Sequence, residues 1–206
     1  MDFYRDRVYP WLVGAFGDPA PIQAVRRELL REARGVVLEI GIGPGANLPH
    51  YDRTRVTKLF ALEPNEAMVR LARERCRGIG IDVEFLGLPG ERIPLGDASV
   101  DCVVSTFTLC TIPGVDHALQ GIGRVLKPGG RLIFLEITAA SDARLRRWQQ
   151  RWEPTFHRLF GGLFLTRDIP DLLRSAGFVI GRLESGSMSR FPRSWSHCCW
   201  GNAARE

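Results

Sequence analysis

The run Glu39-x-Gly41-x-Gly43-x-Gly45 is the part of this sequence best suited to chemistry. Glycines at that spacing let a backbone turn sharply and approach a ligand with no Cβ in the way. The run also fits G-x-G-x-x-G/A if Ala46 takes the last place, so a nicotinamide cofactor is one reading. Glu63 follows at the end of the next apolar run, where a carboxylate can accept hydrogen bonds from ribose hydroxyls. Ribose is common to several cofactor classes, so Glu63 does not separate them.

Glu39 does separate them. An acid two residues before the first glycine is a poor neighbour for a pyrophosphate. It suits a cationic ligand such as the ammonium and sulfonium of S-adenosylmethionine, unless it only braces the loop backbone. Pro44 removes one N–H that a phosphate could have used. Further along, His157 lies among Phe156, Leu159 and Phe160. It is the candidate general base or acceptor-orienting group, against the alternative of a hydrogen-bonded core histidine. Glu136 ends an apolar run, where α/β folds place ligand-facing groups. It either orients an acceptor or holds an arginine such as Arg167. Cys110 raises arsenite as an acceptor, but the other cysteines do not obviously gather around it.

Alternating strands and helices must position these residues. Apolar runs predict strands over 36–40, 56–62, 82–86, 100–105 and 131–137. Helices are expected over 22–33, 65–77, 115–125, 142–160 and 168–176. Residues 126–130, Leu-Lys-Pro-Gly-Gly, read as a turn. Two last strands are expected around 179–183 and 195–202. Such alternation implies a mostly parallel sheet covered on both faces.

The chain has 206 residues with 45% hydrophobic and 25% charged, an ordinary globular composition that excludes disorder or a coiled coil as a whole-chain description. One domain is expected: a lid or helical segment over 1–34, a cofactor-binding core over 36–137, and substrate-side helices with C-terminal strands over 138–206. No apolar run reaches the ~20 residues of a membrane helix, and the N-terminus has no signal-peptide pattern. A cytoplasmic protein without a membrane anchor is expected. Of the 28 basic residues only Lys58 and Lys127 are lysine, and the net charge is +5. The basic residues are scattered, so no nucleic-acid partner is expected. The five cysteines are odd in number and lack C-x-x-C spacing, so no disulfide framework and no metal site is expected.

Four motifs together resemble the class I S-adenosylmethionine-dependent methyltransferases of the type 11 group. They are Val37-Leu-Glu-Ile-Gly-Ile-Gly-Pro-Gly-Ala-Asn47, Leu62-Glu-Pro-Asn65, Gly90-Glu-Arg-Ile-Pro-Leu-Gly-Asp-Ala-Ser-Val-Asp101 and Leu126-Lys-Pro-Gly-Gly-Arg-Leu132. Ser105-Thr-Phe-Thr-Leu-Cys-Thr-Ile112, Glu153-Pro-Thr-Phe-His-Arg-Leu-Phe-Gly-Gly162 and Leu165-Thr-Arg167 are similar to the methyltransferase-like thiol S-methyltransferases of animals and their bacterial relatives. The resemblance implies a Rossmann-like α/β fold: a seven-stranded, mostly parallel sheet with helices on both faces and its last strand antiparallel. It implies S-adenosylmethionine as cofactor, with S-adenosylhomocysteine as product. Gly41, Gly43 and Gly45 would lie under the methionyl part and Glu63 at the ribose. Gly90 and Glu91 would lie near the adenine, and Thr106 and Phe107 between cofactor and acceptor. Glu39, Asn47 and Pro64, in the same motifs, join the expected cofactor side.

The sequence departs from the family at two of these places. Pro89 stands where an acid is common, and Glu136-Ile137 stands where several relatives have Glu-His. Animal members begin with a membrane-anchoring segment, and that property is not carried over. Phe3, Tyr4, Tyr9 and Trp11 are candidates for a lid over the acceptor. The expected activity is methyl transfer to a small molecule, with a thiol sulfur favoured. The alternative is O- or N-methylation of a small natural-product or lipid-like acceptor. A monomer or a homodimer would serve.

Overall fold

The computed structural model describes residues 19–188 and 197–205. The aromatic lid candidates Phe3, Tyr4, Tyr9 and Trp11, and the start of the last expected strand at Trp195, lie outside the described residues. Strand β1 (Gly35–Ile40) is apolar apart from Glu39 and is buried over its last four positions. Such runs suit central parallel strands, which are covered on both faces. β1 pairs in parallel with β2 (Val56–Leu62) on one side and with β4 (Val100–Thr106) on the other. β3 (Asp82–Leu86) adds outside β2, and β5 (Leu126–Ile137) adds outside β4. β6 (Phe178–Ser187) and β7 (His197–Arg205) complete the seven-stranded order β3-β2-β1-β4-β5-β7-β6. β7 runs antiparallel to both β5 and β6. The resemblance implied this architecture.

Helices cover both faces. On one side α3 (Val115–Val125) and α5 (Ile169–Ser175) bury Leu119, Ile122, Ile169 and Leu173 against Leu38, Val103 and Phe134. On the other, α1 (Ala20–Leu29) and α2 (Glu66–Cys76) bury Ile22, Leu29 and Ala72 with Leu59, Val104 and Ile133. α4 (Ala143–Leu159) contributes Phe156 to a smaller cluster with Cys110, Leu163 and Leu165. No helix among the described residues is long and apolar enough to cross a membrane.

Element bounds differ from expectation at β5 and β6. β5 begins at Leu126, because Leu126 pairs with Val100 before the chain detours and Arg131 rejoins at Cys102. The Lys-Pro-Gly-Gly turn is thus an excursion inside the strand. β6 runs on to Ser187, its pairing with β7 carrying it past the expected end.

Register decides where the site lies. Ile40 sits opposite Leu62 on β2 and Ser105 on β4. Gly41, Glu63 and Thr106 therefore emerge side by side at the carboxyl edge. The sheet order reverses between β1 and β4, the position where open α/β sheets bind ligands.

Candidate active site

The glycine turn sits at that edge. Gly41, Gly43 and Gly45 all have left-handed backbones, with φ of 66°, 54° and 82°. Gly41 also needs the space, since a Cβ there would lie 2.3 Å from Thr108 Oγ1. Gly43 is different: its missing Cβ points into room, with nothing nearer than 4.0 Å. A ligand can come against the backbone at that point.

Glu63 closes one side of this space. Its Oε2 accepts from Gly43 N at 3.1 Å and its Oε1 from Asn65 N at 2.9 Å. Each carboxylate oxygen keeps a second lone-pair direction for a hydroxyl donor. Burial raises the Glu63 carboxyl above its usual range, while the Asn65 and Gly43 amides pull it back. Glu63 and Pro64 line a cavity of about 330 Å³ with Val69, Arg73, Phe85 and Gly87. A ribose acceptor beside a glycine-edged cavity lined by both apolar and charged side chains leaves room for an adenosine. The residues present therefore suit S-adenosylmethionine.

Glu39 and Asn47 lie beneath the turn, and each is 1% exposed. Asn47 Nδ2 donates to Glu39 Oε1 at 2.8 Å, and Tyr51 Oη donates to Glu39 Oε2 at 2.8 Å. Burial pushes the Glu39 carboxyl up to about 7, against the pull of Tyr51, Asn47 and the Arg26 charge. Arg26 reaches in from α1. Its Nη1 donates to Asn47 Oδ1 at 2.6 Å and to Thr106 Oγ1 at 2.8 Å. Sequence reasoning assigned nothing to Arg26 or Tyr51. A signal for Arg26 was present: it falls between Ile22 and Leu29 on the apolar stripe of its helix.

The segment after β4 forms the other wall. Phe107 is a non-glycine residue at φ 55°, and the Arg26 guanidinium lies 5.4 Å from its ring centre. Such backbone strain costs about 1–3 kcal/mol and collects at functional sites. Gly90 packs under this segment, where a Cβ would lie 2.5 Å from Ile112 Cδ1. Glu91 Oε1 accepts from Gly114 N at 3.3 Å, tying the loop after β3 to the segment after β4.

Glu136 and His157 are not brought together. Glu136 is fully buried beneath the turn and accepts from Ser105 Oγ and from the N–H groups of Thr108, Leu109 and Cys110. Burial raises its carboxyl, and those donors offset part of the rise. Arg167 grips the same turn through its carbonyls. Its Nη1 donates to Leu109 O and Ile112 O, each at 2.6 Å. Glu136 and Arg167 thus hold opposite backbone groups of one segment. His157 is exposed near the end of α4, its ring centre 4.6 Å from that of Phe164. Phe164 N in turn donates to Cys110 O, which joins this wall to the turn. The Cys110 thiol is held far above its usual range by burial and then by the Glu136 charge. No cluster of three or more His, Cys, Asp or Glu able to hold a metal occurs among the described residues.

The methyltransferase domain family matches residues 38–134. Human thiol S-methyltransferase TMT1B is 34% identical over 176 residues, which is 79% of this chain and 71% of that protein. Human thiol S-methyltransferase TMT1A is 34% identical over 164 residues, covering 77% of this chain and 65% of that protein. Among solved structures, a SAM-dependent methyltransferase from Aquifex aeolicus superposes with a TM-score of 0.66 at 22% identity, over 94% of this chain and 97% of that one. That likeness bears on fold, and the sequence similarity bears on family. The glycine turn, the acid ending β2 and the sheet order all lie within the shared region, and the chain belongs to the class I S-adenosylmethionine-dependent methyltransferases, with S-adenosylmethionine as its cofactor.

Proposed function

We propose that this methyltransferase methylates the sulfur of a small, partly apolar thiol. The observation that carries this reading is the use to which Glu136 is put. The buried acid nearest the acceptor side spends both oxygens on Ser105 and the backbone of the turn. It is a positioning group and supplies no base, so an acceptor that is already partly ionised is favoured. A thiol meets this at neutral pH, since its pKa near ~8.5 leaves a reactive thiolate fraction. Phenols and amines need stronger help. The 34% identity to human thiol S-methyltransferases supports the same acceptor.

Bound S-adenosylmethionine supplies an electrophilic methyl group on a sulfonium, whose departing sulfur keeps the electron pair of the broken bond. Glu63 accepts from the ribose hydroxyls, and Gly43 admits the ligand against the turn. Pro64, Gly90 and Glu91 flank the adenine side. Glu39 and Asn47 hold the turn from below. Residues 106–109 separate the two substrates and are kept in place by Glu136 and Arg167. The aromatic wall of Phe156, Phe160 and Phe164 excludes water from the attacking sulfur. His157, beside Phe164, takes the proton of an acceptor that arrives as the thiol.

The test is release of S-adenosylhomocysteine across alkyl thiols, an aryl thiol, a catechol and a primary amine. Thiol turnover is expected, with kcat/KM for the best thiol at least about 100-fold above the catechol and the amine. Equal or faster turnover of the catechol or the amine would overturn the reading in favour of O- or N-methylation. His157→Gln is expected to slow an alkyl thiol about tenfold while sparing an aryl thiol, which is already ionised at neutral pH.

A further inference from the structure

We propose that Arg73 supplies the face on which the adenine of the cofactor stacks. The inference rests on the cofactor and not on the acceptor.

Strand order fixes where the base must go. Glu63, at the end of β2, takes the ribose, and the methionyl arm runs from there across Gly43 of the glycine turn towards β4. The base leaves the ribose on the other side, over the ends of β2 and β3. The cavity of about 330 Å³ opens there, with Glu63 and Pro64 lining it from the end of β2 and Phe85 and Gly87 from the end of β3. Nothing lies within 4 Å of where a Cβ on Gly87 would stand, so a flat ring can come against the backbone.

Helix α2 forms the remaining wall. Glu66, Val69, Arg70 and Arg73 line the cavity, and their i, i+3, i+4, i+7 spacing sets them on one helix face. Arg73 reaches from that face over β3, its guanidinium carbon 4.5 Å from the centre of the Phe85 ring. Phe85 in turn packs against the core cluster of Leu59, Ala61 and Ala72. Guanidinium and ring are thus two flat layers, and both border the cavity.

The Arg73 side chain makes no hydrogen bond or ion pair among the described residues, and the acids of the neighbouring strand, Asp82 and Glu84, pair with Lys58 instead. A guanidinium plane is weakly hydrated and stacks on flat π systems, as it does on unpaired bases in RNA recognition. The edges of the adenine have less to hold. Pro89, which stands where an acid is common, removes one acceptor for the adenine amine. Contact through the face of the ring needs no such acceptor.

The experiment is calorimetric titration with no acceptor present, so its outcome does not depend on the thiol reading. Two ligands are compared: S-adenosylhomocysteine and S-ribosylhomocysteine, which keeps the ribose and the methionyl arm and lacks the base. The native protein is expected to bind S-adenosylhomocysteine at least about 30-fold more tightly. In Arg73→Ala that preference should shrink about 5- to 30-fold, with the S-ribosylhomocysteine Kd within about twofold of native. Arg73→Lys keeps the charge and loses the plane, so its S-adenosylhomocysteine Kd should stay within about threefold of that of Arg73→Ala. Native affinity in Arg73→Lys would show that charge alone acts, and the proposal fails. An unchanged preference in Arg73→Ala, or equal weakening of both ligands, would mean that Arg73 only braces α2 on β3, and the proposal fails. A native preference smaller than expected overturns it without any variant, so a misfolded mutant does not shelter it.

Discussion

Glu136 shows at the scale of one residue how burial changes a role. The sequence places an acid at a strand end, where a ligand-facing group is expected, yet its carboxylate turns into the protein. It satisfies three backbone N–H groups and one hydroxyl in a turn that has no regular secondary structure to satisfy them. In Glu136→Gln, one acceptor oxygen becomes an NH₂ group that faces another donor. The loss should be about 1–3 kcal/mol. At this chain length it should appear as a melting temperature lower by about 3–10 °C. An unchanged melting temperature would mean that the turn does not depend on the carboxylate. Arg26 teaches the converse lesson. A residue in a lead-in helix that carried no site candidate becomes a buried cation at the site through contacts with Asn47 and with Thr106.

At the scale of elements, the segment between β4 and α3 is the part that the fold works hardest to hold. Glu136 takes its amides from β5, and Arg167, just before α5, takes its carbonyls. This segment separates cofactor from acceptor in the proposed reading, while Glu63 and the glycine turn are attached elsewhere. Arg167→Met should therefore loosen the acceptor side selectively. The expected outcome is an acceptor KM raised about tenfold or more, with the S-adenosylhomocysteine Kd within about threefold of native. Equal loss in both would show that the two sides are not separable. Helix starts follow local rules. Asn65 caps α2 by accepting from Ala67 N and Met68 N, and Asp142 caps α4 by accepting from Arg144 N and Leu145 N. Those caps explain why both helices begin within a residue or so of their expected starts.

The whole molecule carries the cost of its buried acids. Burial raises the carboxyl groups of Glu39, Glu63 and Glu136 together, Glu39 to about 7. An acid with a raised pKa keeps its proton in the folded state after the unfolded chain has released it. Between its ordinary value of 4.5 and about 7, Glu39 therefore holds more proton in the folded protein than in the unfolded chain. The Glu39 contribution to stability therefore falls as pH rises through that window and levels off above it. For Glu39 alone the fall should be about 3 kcal/mol at most. Denaturant unfolding of the cofactor-free protein at pH 5, 6 and 7 measures it. Glu39→Gln should remove this contribution, and a pH dependence equal to that of the native protein would contradict the assignment.

Local pattern determined the element order, the glycine turn, the acid ending β2 and the family. Strand runs, helix caps and left-handed glycines are set by residues close together in the chain, so they can be read from it directly. The α/β architecture follows from that alternation, and the antiparallel last strand came with the family resemblance. What only the tertiary structure decided is which side chains meet. Arg26 reaches Thr106, 80 residues away, and Arg167 reaches Leu109, 58 residues away. Glu136 turns inward because the donors that need it arrive from another strand. His157 and Glu136, the two catalytic candidates in the sequence, end up in different surroundings, one exposed and one sealed. Such pairings depend on strand register and helix docking, which are set by the burial of the whole core and leave no mark at the spacing of a motif.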